Sequence, residues 1–229
     1  MKKKFGPFAE LSFIIGTLIL PLGTSMMAHG SFGLSVVVVP AYLPSLKIDF
    51  LTFGMAEYCL QACLLVMFCI VMGKFKVWYL FSFFAAFLYG LVLDFWMPLV
   101  ESIPLPTIGH RIAFYVLGMI VNSFSIGFYF KSYFPPQIYE LIVKGFSEKF
   151  HVSLGKFKIG YDLTSFAVSL LLSFIFFRRI EGIGVGSVVC TFANGVLIAF
   201  GCKQIEKVFD FSPRFPKWEA YFSLQGREN

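Results

Sequence analysis

Apolar residues run along this chain in long blocks, and short polar or basic stretches separate the blocks. A helix crossing a bilayer needs about 20 apolar residues. Six blocks approach that length: 12–28, 53–72, 77–97, 112–130, 159–177 and 183–201. Pro21 lies inside the first and predicts a bend there. Trp78, Tyr79 and Trp96 flank the third, at the depth where amphipathic rings prefer the headgroup layer. The order of blocks occurs twice. Segment 12–97 reads as a span, a long amphipathic connection, and two spans joined by a tight basic turn; segment 112–201 repeats that order. With three spans per half, the second half threads the bilayer in the opposite sense. The pattern predicts an all-α membrane protein of six transmembrane helices arranged as two inverted three-helix repeats. It forms a single integral membrane domain over 1–229, with an interfacial tail over 203–229.

The two long connections are not ordinary loops. Segment 29–52 is strongly apolar. In segment 131–158, Ile138, Leu141, Ile142 and Phe146 recur at helical spacing, with Glu140 and Lys144 on the other face. Such a segment either lies in the interface or dips back into the protein, where irregular backbone survives only against protein or a water-filled cavity. Sliding the chain by 105 residues brings Gly90 onto Gly195, Ser82 onto Ser187, Phe87 onto Phe192 and Glu57 onto Asp162. The first and fourth spans align only after a shift of a few residues.

Composition agrees with a bilayer. The chain is 58% hydrophobic and 14% charged, with 31 Phe among its 229 residues, more apolar surface than a soluble domain can hide. Lys2, Lys3 and Lys4 precede an apolar stretch, but no small-x-small cleavage site follows, so the first block reads as a retained helix. The net charge of +6 does not indicate nucleic acid, because the basic residues fall in loops beside spans. There they meet anionic lipid and set orientation. With the N-terminus in the cytoplasm, 15 of the 19 Lys and Arg fall inside, and only Lys47, Arg111, Arg178 and Arg179 fall outside. The expectation is a bacterial inner-membrane protein with both termini cytoplasmic.

Cys59, Cys63, Cys69, Cys190 and Cys202 all sit in or at the end of apolar blocks, as packing residues do. His29, His110 and His151 are scattered, so no metal-ligand spacing and no cofactor motif is expected. The run GIGVG at 182–186 follows no strand and is not a dinucleotide motif. Without a nucleophile–base arrangement or a phosphate loop, an enzyme is not expected.

Ionisable groups within spans are the best pointers to a site, because each is costly in hydrocarbon. Glu57, Asp94 and Asp162 qualify. Glu57 and Asp162 either line a vestibule in each half, engaging a cation, a proton or a basic group of a substrate, or offset the dipole of the helix that each begins. Asp94 either joins them or pairs with Arg111 or Arg178. Asn122 and Asn194 lie near span centres and either bridge helices or hold a ligand. Gln61, Tyr89, Ser82, Ser123 and Thr191 extend that polar seam. Ser35, Pro40, Pro135 and Pro136 predict departures from regular helix, and broken elements at repeat interfaces point to binding sites. The substrate-binding candidates are Glu57, Gln61, Asp94, Asn122, Asp162, Asn194, Ser35 and Tyr89.

Three runs resemble a known family. AHGSFGLSVVVVPAYLPSL (28–46) is similar to the Gly-x-Ser segment after the first helix of the YczE/YyaS/YitT-type bacterial membrane proteins, with Gly33 and Ser35 at its small positions. PPQIYELIVKGFSEKFHVSLG (135–155) resembles that family's amphipathic segment in the second half. GIGVGSVVCTFANGVLIAF (182–200) resembles its last helix, and Asp94 falls where the family often has an acid. One departure is Val36, where the family often has proline. The resemblance spans most of 12–201 and implies an integral membrane protein more firmly than any activity.

The leading functional expectation is transport of a small molecule or ion by alternating access of two inverted halves. The alternatives are a substrate-binding membrane subunit of a larger energised transporter, and a non-transporting scaffold or regulator. Expected partners are membrane lipid, an unknown small-molecule or ion substrate and, through the Phe-rich faces, a second copy in a homodimer; nucleic acid is not expected.

Overall fold

In a computed structural model, residues 6–227 are described, and Lys2, Lys3 and Lys4 of the expected inward-facing cluster lie outside them. The described chain is all-helical. Six helices are long and apolar enough to cross a membrane: α1 (Ala9–Gly30), α3 (Phe53–Met72), α4 (Tyr79–Glu101), α5 (Ile108–Phe130), α7 (Leu154–Phe177) and α8 (Val185–Val208). Three shorter helices complete the chain: α2 (Val39–Lys47), α6 (Ile138–Lys149) and α9 (Pro216–Arg227).

Local chemistry sets the helix limits. Thr52 caps α3 by accepting from Met55 N at 3.1 Å, and Thr107 caps α5 by accepting from His110 N at 3.3 Å. Gly73, at φ 69°, ends α3 in the left-handed conformation that glycine adopts without strain. The helix α8 runs seven residues past the apolar block read from sequence, through Lys203 to Val208, and Lys131 pairs with Glu206 there. The tail is folded back as well. The Glu10 carboxylate accepts from the backbone of Arg214 and Phe215, and Phe222 of α9 is buried against Phe81 and Phe134.

The bundle hides small and hydroxyl residues and exposes large apolar ones. Ser12, Ser25, Ser82, Ser123 and Ser169 are buried, whereas Phe84, Phe95, Phe174 and Phe192 face outward. A protein dissolved in lipid distributes its residues this way, because close packing and internal hydrogen bonds hold its helices together. Cys59 and Cys63 face outward too, and Cys190 alone of the five is fully packed. The most extensive crossing joins α1 and α5. There a Cβ on Gly118 would meet Met26 Cβ at 2.8 Å, and one on Gly23 would meet Asn122 N at 2.6 Å.

Around that crossing α4 packs on α1 and α8 packs on α5; α3 packs on α4, and the short helices α2 and α6 each pack on both α3 and α7. Neither connection lies flat on the surface. The helix α6 runs alongside α3 in the same direction: Ile138 lies level with Gln61, Gly145 with Phe68, and Lys149 donates to the Val71 carbonyl. It therefore starts at half height and descends to the lysine-rich end. Segment 31–38 enters from the opposite end, where Leu34 N donates to the Gly182 carbonyl and Gly186 N to the Phe32 carbonyl. Gly33 is required at this crossing. Its φ is +98°, and a Cβ there would meet Gly184 N at 2.5 Å. The segment reaches Val36, whose carbonyl accepts from Ser169 of α7 at 3.3 Å, and α2 then turns back. Val36, Val37 and Tyr139 pack together as one buried cluster, flanked by Leu60 and Leu64 of α3 and Tyr161 and Phe166 of α7. The two re-entrant segments thus meet near half height, with the N-termini of α2 and α6 directed toward each other.

Candidate functional site

Where the two segments meet, α3 contributes Glu57 and Gln61, one turn apart on its inner face, and both are fully buried. The α6 side supplies partners. Tyr139 Oη donates to Glu57 Oε2 at 2.8 Å, and Gln61 Nε2 donates to the same oxygen at 3.4 Å and to Gln137 Oε1 at 3.3 Å. Gln61 Oε1 accepts from the backbone N–H of Ile138 at 3.2 Å. Gln137, at the N-cap position of α6, makes no side-chain cap bond of its own. A glutamine from a neighbouring helix thus satisfies an amide that would otherwise be orphaned inside the bundle.

Two buried polar atoms of this group have no hydrogen-bond partner: Glu57 Oε1, an acceptor or the bearer of a proton, and Gln137 Nε2, a donor. Tyr129, held by Thr17 at 2.9 Å, faces the Gln137 side chain as a further polar neighbour. Unmade hydrogen bonds inside a membrane protein are costly, and here an acceptor and a donor are left unused within one small group.

A second polar group lies beside the first. Thr24 Oγ1 accepts from Tyr89 Oη at 3.0 Å and from Asn122 Nδ2 at 3.1 Å, which ties α1, α4 and α5 together. Tyr89 also neighbours Glu57. Asn194 belongs to a third group, with Ser123 Oγ donating to its Oδ1 at 3.3 Å and its Nδ2 directed to Cys190 Sγ at 3.0 Å. In both groups the amide bridges helices.

The other expected residues are placed differently. Asp94 pairs with neither Arg111 nor Arg178. Its carboxylate accepts from Thr52 Oγ1 and from Gly54 N, each at 2.6 Å, and so caps α3 from the side of α4. Arg111 instead donates to the Gly30 carbonyl and lies over the Phe32 ring. Asp162 does not join Glu57; it is partly exposed and bonded to Lys158 one turn earlier, at 2.8 Å. The Ser35 carbonyl accepts from Val38 N and Val39 N, which closes the first turn of α2. Gln137, Tyr139 and Thr24 are site residues that sequence reasoning misses. The signal for the first two is the Pro135–Pro136 pair: it forces extended backbone just before a helix start, and the two residues occupy that start. Thr24 carries no signal beyond being a hydroxyl in a span.

Residues 8–203 match the profile of a family described as a family of unknown function, DUF6198, and the chain belongs to that family. No curated protein and no solved structure matched the chain.

Proposed function

We propose that this DUF6198 protein is a transporter of a small solute or ion in the bacterial inner membrane, working by alternating access of two inverted half-repeats around Glu57, Gln61, Gln137 and Tyr139. The observation that carries the reading is the meeting of two re-entrant segments, from opposite ends, over a buried polar group with unused hydrogen-bonding atoms. Interrupted elements whose helix N-termini face a half-height site are a recurring feature of secondary transporters. A scaffold has no need to bury a carboxylate there.

Helix pairing supports the inverted repeat. The contacts of α1 with α4 and of α5 with α8 correspond, as do those of α2 with α3 and of α6 with α7, and those of α2 with α7 and of α6 with α3. The kinship to YczE/YyaS/YitT-type proteins draws support from the same geometry, since two of the resembling runs, around Gly33 and Gly184, lie directly against each other. The 15-to-4 distribution of Lys and Arg supports a cytoplasmic position for both termini.

Counterflow tests the reading even though the solute is unidentified. Proteoliposomes are loaded with a small-molecule extract of bacterial cells, and mass spectrometry reads what leaves. The reading expects at least one compound to exit with the native chain and not with Gln61→Leu, a variant that removes the polar bridge between α3 and α6. Identical efflux from native, variant and protein-free vesicles overturns it.

A further inference from the structure

The Glu57 carboxyl has no countercharge. It is fully buried, and among the described residues no Lys, Arg or His reaches it: it takes part in none of the ion pairs, and the groups bonded to it are Tyr139 and Gln61. The ionisable groups beside it are Tyr139 from α6, Tyr89 from α4 and Tyr161 from α7; Glu140 of α6 acts on Tyr89 and Tyr161 as well, with Lys158 of α7 as its own neighbouring cation. The α2 side contributes the aliphatic Val36 and Val37. An isolated carboxylate in such a place is far too costly to keep without a compensating ion. The phenol and the amide both donate to Oε2, so that oxygen has the role of the carbonyl. Oε1 is left without a partner, in the role of the hydroxyl.

We infer that Glu57 is a proton-binding site, and that the proton it takes up and releases on Oε1 is the coupling ion of the proposed transport cycle. The inference rests on the transport reading for its place in a cycle, but the protonation itself does not. With the proton bound, the carboxyl is neutral and the two re-entrant tips close over it. When the tips part, water reaches Oε1, the proton passes to it, and the carboxylate left behind is stabilised by the Tyr139 and Gln61 donors and by the N-terminus of α6. Tyr139 keeps its own proton throughout. Asp162, paired with Lys158 and partly exposed, has no part in this.

Dicyclohexylcarbodiimide is the probe: it is lipid-soluble, and a protonated carboxyl adds across its C=N bond to give an O-acylisourea that rearranges to a stable N-acylurea. Purified full-length protein in detergent is treated over a range of pH and mapped by mass spectrometry, with infrared spectra of the same samples. The expected result is an adduct on Glu57 that declines severalfold as the pH rises. A carboxylic-acid C=O band should decline with it and be missing from a monodisperse Glu57→Gln variant. The native chain alone decides the matter if that variant does not fold. An unlabelled Glu57 at every pH, or labelling that does not depend on pH, overturns the inference. So does protection by sodium at fixed pH, which would make Glu57 a metal-cation site. A titrating Glu57 in a protein that shows no counterflow would leave the proton site standing and remove the transport reading.

Discussion

The α3–α4 and α7–α8 pairs occupy corresponding places in the proposed repeat, yet they are packed in opposite ways. The first pair is closed. Gly54 and Gly90 bring the helices into backbone contact, and a Cβ on Gly90 would meet the Gly54 carbonyl at 2.6 Å. In the second pair, α7 and α8 make no close backbone approach among the described residues, and both Gly160 and Gly195 face open space. A surface groove of about 460 Å³ beside Gly195 is lined by α8 alone, through Val196, Ala199, Phe200 and Lys203 as well. The carboxylates follow the helices: Glu57 is sealed inside with partners from α6, and Asp162 is partly exposed with Lys158. Corresponding places in the proposed repeat therefore do not mean a similar state. Under the proposed inverted repeat, the difference is what one stage of alternating access requires. Exchanging the two arrangements, with α7–α8 closed and α3–α4 open, gives the complementary stage.

Substitutions at matching positions separate the halves. The largest difference is expected at the acids. Glu57→Ala leaves the Tyr139 hydroxyl and a Gln61 donor facing a hole, at about 1–3 kcal/mol for each orphaned group. Asp162→Ala removes a partly exposed pair worth about 0–1 kcal/mol. Thermal unfolding in detergent should show a clear loss of stability for the first and little for the second; equal losses would break the comparison. Next are the glycines. Gly90→Ala forces α3 and α4 apart and should cost about 1–3 kcal/mol or more, while Gly195→Ala should stay within about 0.5 kcal/mol. If Gly195→Ala is as damaging as Gly90→Ala, α7 and α8 also close in the resting protein. The smallest effect is local. Asp94→Ala removes the external cap of α3 at about 1 kcal/mol. Hydrogen exchange should then quicken at Gly54 and the residues just after it while the α7 start is unchanged.

Length and composition made the six spans legible, because an apolar block in a bilayer has few alternatives to a helix. The ends were less legible. The helix α8 continues past its apolar block because Lys203 and Lys207 tolerate a helix at the water boundary, and hydropathy does not record that. Glu57 and Gln61 stood out as polar residues within an apolar block, and both lie at the centre of the site. Asp162 stood out for the same reason and lies elsewhere, because an acid near a span end can be satisfied by a lysine one turn away on its own helix, here Lys158. Gln137 and Tyr139 could not be placed from sequence. An amphipathic helix after two prolines is compatible with the membrane surface as well as with a return to half height, and only packing against α3 and α7 decides between them.

The central claim is that chain entering from one end of the bundle meets chain entering from the other. The most direct test is a Val37→Cys/Tyr139→Cys pair in a variant whose five native cysteines are replaced by serine, treated in membranes with a short bifunctional thiol reagent. The account expects an intramolecular cross-link, with each cysteine shielded from an impermeant thiol reagent, since both positions are buried. Failure to cross-link, with the two cysteines instead labelled freely from opposite faces of the membrane, would contradict it.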